Sequence, residues 1–335
     1  MTAGQANTSC VFVNNARGQV VVTKNTTGGN GTFVFTLSNG VTMTATISTS
    51  GTTIAGTVVG SGSATFTGLA PGTYTVSESA NADFTPVGST TCTAIVGPGA
   101  SIGCTFANAA KGSVVVTKNT TGGNGSFVFT LSNGVTMTAT ISTSGTTIAG
   151  SGSATFTGLA PGTYTVSESA NADFAPVGPT TCTAIVGPGA SIGCTFANAA
   201  RGSVLVTKNT TGGNGTFVFT LSNGVTMTAT ISTSGTTIAG TVVGSGTATF
   251  TGLAPGTYTV SESANADFTP VGSTTCTAVV GPGASTTCSF TNQARGSVVV
   301  TKNTTGGNGS FVFTLSNGVT MTATISTSGT TVAGS

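Results

Sequence analysis

The stretch Gly18-Gln19-Val20-Val21-Val22-Thr23-Lys24-Asn25-Thr26-Thr27-Gly28-Gly29 returns nearly unchanged from Gly112, Gly202 and Gly296. Its lysine recurs as Lys24, Lys118, Lys208 and Lys302, at spacings of 94, 90 and 94 residues. Repetition at this period makes the chain an array of small domains, one per copy. Three full repeats run 17–110, 111–200 and 201–294, and a fourth, 295–335, stops before its midpoint. Residues 1–16 read as the last strand of an incomplete upstream repeat, because Cys10-Val11-Phe12-Val13-Asn14 aligns with Cys104-Thr105-Phe106-Ala107-Asn108. The ragged ends read as a fragment of a longer repeat chain or as a mature portion. Only Ala109, Ala110 and Lys111 separate Asn108 from Gly112, a joint short enough to predict a stiff string of units.

Within a repeat, apolar residues alternate with polar ones, the pattern of strands with one buried face. Val20, Val22 and Lys24 share a face, as do Phe33, Phe35 and Leu37, and then Val41, Met43, Ala45 and Ile47. A three-residue loop at Ser38-Asn39-Gly40 pairs Leu37 with Val41 and Phe35 with Met43. Both apolar rows then fall on one side, and Gly40 takes a positive φ. Repeat 2 lacks the four residues Thr57-Val58-Val59-Gly60, so the segment from Thr52 to Gly62 reads as a hairpin tip or edge. A short strand at Ala64 and Phe66 follows, then a turn at Leu69-Ala70-Pro71-Gly72, then Tyr74, Val76 and Glu78 on one inward face. Seven or eight such strands per repeat predict an all-β fold, an array of antiparallel sandwiches.

Seven cysteines include three identical pairs twelve positions apart: Cys92 and Cys104, Cys182 and Cys194, Cys276 and Cys288. A hairpin centred on Gly97-Pro98-Gly99 sets Cys92 opposite Cys104, so each pair is expected to close a hairpin disulfide. Disulfides place the chain outside the cell. Residues 1–9 have no basic start and no apolar run, so they are no secretion signal, and no stretch is apolar enough to span a membrane. Charged residues are 4% of the chain and net charge is +2 without a basic cluster, which disfavours nucleic acid as a partner.

With charge so scarce, a lysine inside a Val-rich strand of every copy calls for an explanation. Each full repeat also sets a glutamate and an asparagine on inward faces: Lys24, Glu78 and Asn108; Lys118, Glu168 and Asn198; Lys208, Glu262 and Asn292. First and last strands of a sandwich commonly lie side by side, which would bring lysine and asparagine together. A buried charged pair is costly unless well satisfied. One resolution is chemical: burial favours a neutral, nucleophilic amine and a protonated carboxyl. That carboxyl polarises the carboxamide, the amine attacks, ammonia leaves, and a neutral amide replaces the pair. The simpler resolution is structural. Lys24 snorkels to water past the Thr-Gly-Gly loop, Glu78 is an ordinary ion-pair partner, and Asn108 bonds backbone at a strand end.

These residues carry a resemblance. Val22-Thr23-Lys24, Leu69-Ala70-Pro71-Gly72-Thr73-Tyr74-Thr75-Val76-Ser77-Glu78 and Phe106-Ala107-Asn108 resemble the Cna B-type, or SpaA-type, prealbumin-like domains of Gram-positive pili and surface adhesins. The resemblance implies that the matched lysine and asparagine become joined and that Glu78, Glu168 and Glu262 promote the joining. The chain departs from it by the cysteine pairs and by Thr85-Pro86-Val87-Gly88, where a Gly-Tyr is common.

Other signals are weak. Thr26-Thr27-Gly28-Gly29-Asn30-Gly31 lacks the Gly-Lys-Ser/Thr ending of a phosphate loop and reads as a flexible turn. Asp83 stands without the cluster calcium needs, and twelve-residue cysteine spacing fits a disulfide better than a metal. Asn7, Asn25 and Asn30 open formal glycosylation sequons. The outward Thr42, Thr44 and Thr46 row is ordinary strand composition, though such a row can meet sugar or ice. With no histidine, no paired nucleophile and base, and no cofactor motif, the chain does not read as an enzyme. The reading is an extracellular stalk or fibre whose partners are neighbouring repeats or copies of itself. The alternatives are a self-assembling filament subunit, or an adhesin repeat that binds glycan or host matrix.

Overall fold

A computed structural model describes residues 9–47, 53–54, 57–142, 149–231, 237–238, 241–305, 307–326 and 333–334. Every regular element among them is a strand. In repeat 1 the strands are β1 (Gly18–Thr27), β2 (Gly31–Leu37), β3 (Thr42–Ile47), β4 (Thr53–Ile54), β5 (Thr57–Leu69), β6 (Gly72–Glu78), β7 (Phe84–Pro86), β8 (Thr91–Val96) and β9 (Ser101–Ala110). They form two sheets, ordered β4-β5-β1-β9-β7 and β3-β2-β6-β8. Repeat 2 builds the same pair from 112–200, with four strands in each sheet. Repeats 1 and 2 belong to one compact unit, Met1–Leu205, which also takes in Thr249–Tyr258 and Thr277–Thr287. A second unit holds Val206–Ala248, Thr259–Cys276 and Cys288–Ser335.

Alternation builds the core. Along β1 every second residue from Gly18 to Thr26 is buried, and Phe33, Phe35 and Leu37 do the same along β2. Val20, Val22, Phe35, Phe66, Val76, Val96 and Phe106 fill the space between the sheets of repeat 1. The β2–β3 turn is as the alternation requires. Phe35 pairs with Met43, the Leu37 amide donates to the Val41 carbonyl at 2.8 Å, and Gly40 has φ 86°.

Several expectations need correction. Val41 is 48% exposed rather than inward, because it closes the turn at the sheet margin. The side chains of Ala45 and Ile47 lie outside the described residues, but their counterparts Ala139 and Ile141 are buried. The short strand at Ala64 and Phe66 is in fact thirteen residues long. Its partner β1 is ten residues long, and β5 pairs with it from Gly18↔Leu69 to Thr27↔Val59, with a register shift between Gly18 and Val20. The four inserted residues extend this strand near the sheet edge, and only Thr52, Ala55 and Gly56 of that segment lie outside the described residues.

One pair departs from antiparallel order: β1 and β9 run parallel, with Lys24 opposite Phe106 and Thr26 opposite Asn108. The cysteines do not sit on a hairpin. The Gly97–Ala100 turn carries the chain from one sheet to the other. Cys92 of β8 is therefore registered with Val76 of β6, and Cys104 of β9 with Val22 of β1. The Cys92–Cys104 disulfide, Cα–Cα 5.9 Å, thus staples the two sheets together. Cys182–Cys194 and Cys276–Cys288 repeat it at 6.0 and 5.9 Å.

Residues 9–17 lie outside any strand, with Val11, Phe12 and Val13 exposed. Residues 295–303 also lie outside any strand, and the fourth repeat contributes Thr304–Thr305, Gly309–Thr314, Thr320–Ile325 and Ala333–Gly334. No helix among the described residues is long and apolar enough to cross a membrane.

Candidate functional site

The buried row of β1 ends Val20, Val22, Lys24, Thr26, so strand alternation alone drives the lysine inward. Lys24 stands between Gly62 of β5 and Phe106 of β9. Asn108 lies two residues further along β9, on the same inward face and in the same sheet. Glu78 comes from the opposite sheet, at the end of β6, where it is registered with Phe35 of β2. Its side chain crosses the interior to meet the other two.

Lys24 Nζ lies 2.7 Å from Glu78 Oε1, and Asn108 Nδ2 donates to the same oxygen at 2.8 Å. In repeat 2 the distances are 3.0 and 2.9 Å, and in repeat 3 they are 2.9 and 2.8 Å. The side chains of Lys24 and Glu78 are 0% and 2% exposed, and Asn108 is 3% exposed. Snorkelling is therefore excluded. The ion-pair and crosslink readings both use the contact observed.

The surroundings are apolar. Lys24 Nζ sits over the Phe33 ring, 4.5 Å from its centroid, and Phe84 meets Phe33 edge-on at 5.0 Å. Phe127 and Phe217 lie likewise under Lys118 and Lys208. A ring face holds a desolvated cation but offers no acceptor for its protons. Burial pushes the pKa of Lys24 below its ordinary 10.5, and Glu78 opposes the shift through its hydrogen-bonding contact and its charge. Lys118 and Lys208 shift the same way for the same reasons.

Satisfaction is incomplete in the same way three times. Lys24 Nζ approaches Oε1 too acutely for a directional hydrogen bond, and Glu78 Oε2 and Asn108 Oδ1 have no partner. A buried unpaired polar group costs about 1–3 kcal/mol. The same three atoms are left over in the triads of Lys118 and Lys208. An amine, a carboxyl and a carboxamide thus converge in a buried site, each with hydrogen-bonding capacity that the other two do not use.

The aromatic platform was not legible as such. Phe33 reads from sequence as an inward residue, but nothing in the pattern says that it underlies the amine. Thr26 is also buried, and its hydroxyl donates to the Gly29 carbonyl at 2.8 Å, closing the Thr-Thr-Gly-Gly loop on itself. The fourth lysine, Lys302, stands over Phe311 at 4.6 Å but has neither a glutamate nor an asparagine counterpart in the sequence.

Residues 20–97 and 114–187 match the model of a family described as a prealbumin-like fold domain. Each match includes the lysine and glutamate and stops short of the asparagine strand. No curated protein matches the sequence. Among solved structures, the Bacillus anthracis TIE protein is similar at 17% identity and TM-score 0.36, over 83% of this chain and 51% of that one. This chain thus spans about half the length of that relative. BcpA, the major pilin subunit of Bacillus cereus, is similar at 13% identity and TM-score 0.33, over 82% of this chain and 99% of its own. GBS52, the minor pilin of Streptococcus agalactiae, is similar at 14% identity and TM-score 0.26, over 57% and 99%. Over residues 20–97 and 114–187, repeats 1 and 2 are thus each similar to a prealbumin-like fold domain.

Proposed function

We propose that this chain is a load-bearing segment of an extracellular surface fibre or pilus of a Gram-positive cell, in which residues 17–110, 111–200 and 201–294 each form a domain closed by a Lys–Asn isopeptide bond. The observation that carries the reading is the buried triad, built the same way three times and each time left short of partners.

The chemistry balances within the triad. Nζ of Lys24 gives a proton to Glu78 across their contact, which leaves a neutral amine and a neutral acid. The amine attacks Cγ of Asn108, and the acid polarises the carboxamide oxygen. The Cγ–Nδ2 bond breaks, the second amine proton passes to the leaving nitrogen, and ammonia departs. The product is an uncharged amide whose N–H faces Glu78, so the buried ion pair is gone. Each site reacts once, as maturation rather than turnover.

The mechanical role follows from the parallel β1–β9 pair. Load enters β1 at Gly18 and leaves β9 at Ala110, so the two adjacent strands are sheared past each other. A Lys24–Asn108 bond carries that load directly from one strand to the other and shields residues 25–107. The disulfide between the sheets lies inside the shielded segment, so its work is to hold the sandwich closed.

Intact-mass measurement under reducing conditions tests the chemistry. The expected result is a deficit of three ammonia molecules, one per triad, with one restored by Glu78→Ala. An unshifted mass removes the crosslink and leaves three buried ion pairs.

A further inference from the structure

The Thr-Thr-Gly-Gly loop and the Gly-Pro-Gly turn recur in every full repeat, and neither belongs to the triad. The structure brings them together across the boundary between repeats 1 and 2, inside one compact unit. Gly28 of the loop packs backbone to backbone against Pro188 and Gly189 of the next repeat's turn. A Cβ on Gly28 would collide with the Pro188 carbonyl, and one on Gly189 would collide with the Gly28 carbonyl. Both glycines have positive φ, 84° and 66°, so backbone shape and the absence of a side chain are required together. Beside them the Gly189 amide donates to the Ala110 carbonyl at 2.9 Å, the last residue of β9. The arrangement returns one boundary later: Gly122 against Pro282, and Gly283 donating to Ala200 at 3.0 Å.

We infer that the loop and the turn are the two halves of a coupling site between successive repeats, whose partner is a second repeat of the same sequence. Ala109 and Ala110 are still paired in β9, so Lys111 is the one residue between the strands of successive repeats, and it is a single attachment. The loop–turn contact adds a second attachment, offset from the chain, and two attachments remove the bending freedom that one allows. Linker side chains reinforce it. Arg17 Nη1 donates to the Gly68 carbonyl at 2.7 Å, Arg201 Nη1 donates to that of Gly252 at 3.0 Å, and Lys111 Nζ donates backwards to that of Ala82 at 2.8 Å. The inference stands whether or not the isopeptide forms, since none of these atoms belongs to the triad.

The chain contains its own control. Gly99 makes the same hydrogen bond, to Ala16 at 2.9 Å, but meets no Thr-Thr-Gly-Gly loop among the described residues; the nearest atom to its Cβ position is the Ala16 Cβ at 3.6 Å. Amide exchange on the full chain therefore reads the site directly. Gly189 is expected to exchange at least about tenfold more slowly than Gly99, because the loop contact holds the same hydrogen bond closed there; a tenfold difference corresponds to about 1.4 kcal/mol. Gly28→Ala should erase that difference while the Ser113 amide, bonded within repeat 2 to Ala190, keeps its protection. Gly212→Ala, at the same loop position with φ 87°, has the Ala294 Cβ of its own repeat at 3.1 Å as its nearest neighbour. It matches the backbone strain and should leave Gly189 unchanged. If Gly28→Ala fails to fold, Gly28→Asn tolerates the left-handed backbone and still carries the colliding Cβ. Equal exchange at Gly99 and Gly189, or a Gly189 amide indifferent to both Gly28 variants, overturns the coupling site.

Discussion

Pulling the chain from its two ends separates a crosslinked repeat from an ion-paired one by length. A repeat that opens fully between Gly18 and Ala110 frees about 310 Å of extended chain. The folded β1–β9 pair already spans about 30 Å of this, so the gain is about 280 Å. With the disulfide closed, residues 92–104 contribute only their 5.9 Å Cα–Cα separation, which shortens the step to about 245 Å. An isopeptide between Lys24 and Asn108 leaves only 18–24 and 108–110 under load, and these are already extended strands. The perturbation is Lys24→Met with Glu78→Gln, a neutral pair of similar bulk. Removing one partner alone would leave a buried charge that costs about 3–5 kcal/mol. In single-molecule force spectroscopy, a chain whose mass shows all three ammonia losses should give no step of this size from repeats 1 to 3. The double variant should give one, of about 245 Å, lengthening to about 280 Å under reducing conditions. Three steps of about 245 Å from the fully crosslinked parent would refute the load path, because the parallel strands would then not be the bearing pair.

The lysine gives a pH signature that the crosslink abolishes. With Asn108, Asn198 and Asn292 replaced by Ala, the amines survive and titrate, and burial holds their native pKa below the unfolded 10.5. The native state then binds fewer protons than the unfolded one between those two values, so stability should rise as pH climbs through that window toward 10.5. If the proposed isopeptides form, the parent's amines are consumed and it should show no such rise; urea unfolding midpoints over a pH series measure both. The disulfide is a separate contribution. Cys92→Ser with Cys104→Ser opens a twelve-residue loop, so repeat 1 should lose about 3 kcal/mol, read as a lowered unfolding midpoint against the parent.

The strands and the triad were legible for one reason: period-2 alternation fixes which side of a strand a residue faces. Lys24 follows Val20 and Val22 at even spacing, so its burial follows from the sequence. Glu78 after Tyr74 and Val76, and Asn108 after Cys104 and Phe106, follow the same rule. The Leu37-to-Val41 turn was legible because only one loop length keeps two apolar rows on one side. Sheet membership was not legible, because alternation does not say which strands are neighbours. The Cys92–Cys104 pair reads equally well as a hairpin rung or as a staple between sheets, since a turn at Gly97–Gly99 serves both. The length of β5 was hidden by Gly60-Ser61-Gly62-Ser63, residues of poor strand propensity that pair with β1 because Lys24 and its neighbours need backbone partners there. The Phe33 platform and the loop–turn contact depend on three-dimensional proximity across sheets and across repeats, for which a single strand pattern carries no signal.

The distribution of charge ties the two sites together. Of the eight basic and six acidic residues, all but Lys302 fall into three groups. Lys24, Lys118, Lys208 and Glu78, Glu168, Glu262 are buried as pairs. Lys111 and Arg201 occupy the single position between one repeat's last strand and the next repeat's first, Arg17 directly precedes β1, and Arg295 directly follows the last strand of repeat 3. Asp83, Asp173 and Asp267 stand beside three of these residues, and their carbonyls accept the amides of Lys111, Arg201 and Arg295 at 2.8 Å. Lys302 alone stands outside, where its partners are missing from the sequence. The water-facing sides of the strands in repeats 1 to 3 therefore carry hydroxyls, glycine and some aliphatics such as Val34 and Ile95, and charge there is confined to the interior of each repeat and its joints. If the buried pairs are converted to amides, the mature chain keeps ionised groups almost solely at its joints. Raising salt should then leave the interior of each repeat untouched and weaken only what the linker residues do. Those residues donate to neutral carbonyls rather than to carboxylates, so even the joints should be nearly insensitive to ionic strength. A fibre built this way resists shear by covalent bonds and bending by backbone fit, and neither depends on the ionic conditions outside the cell.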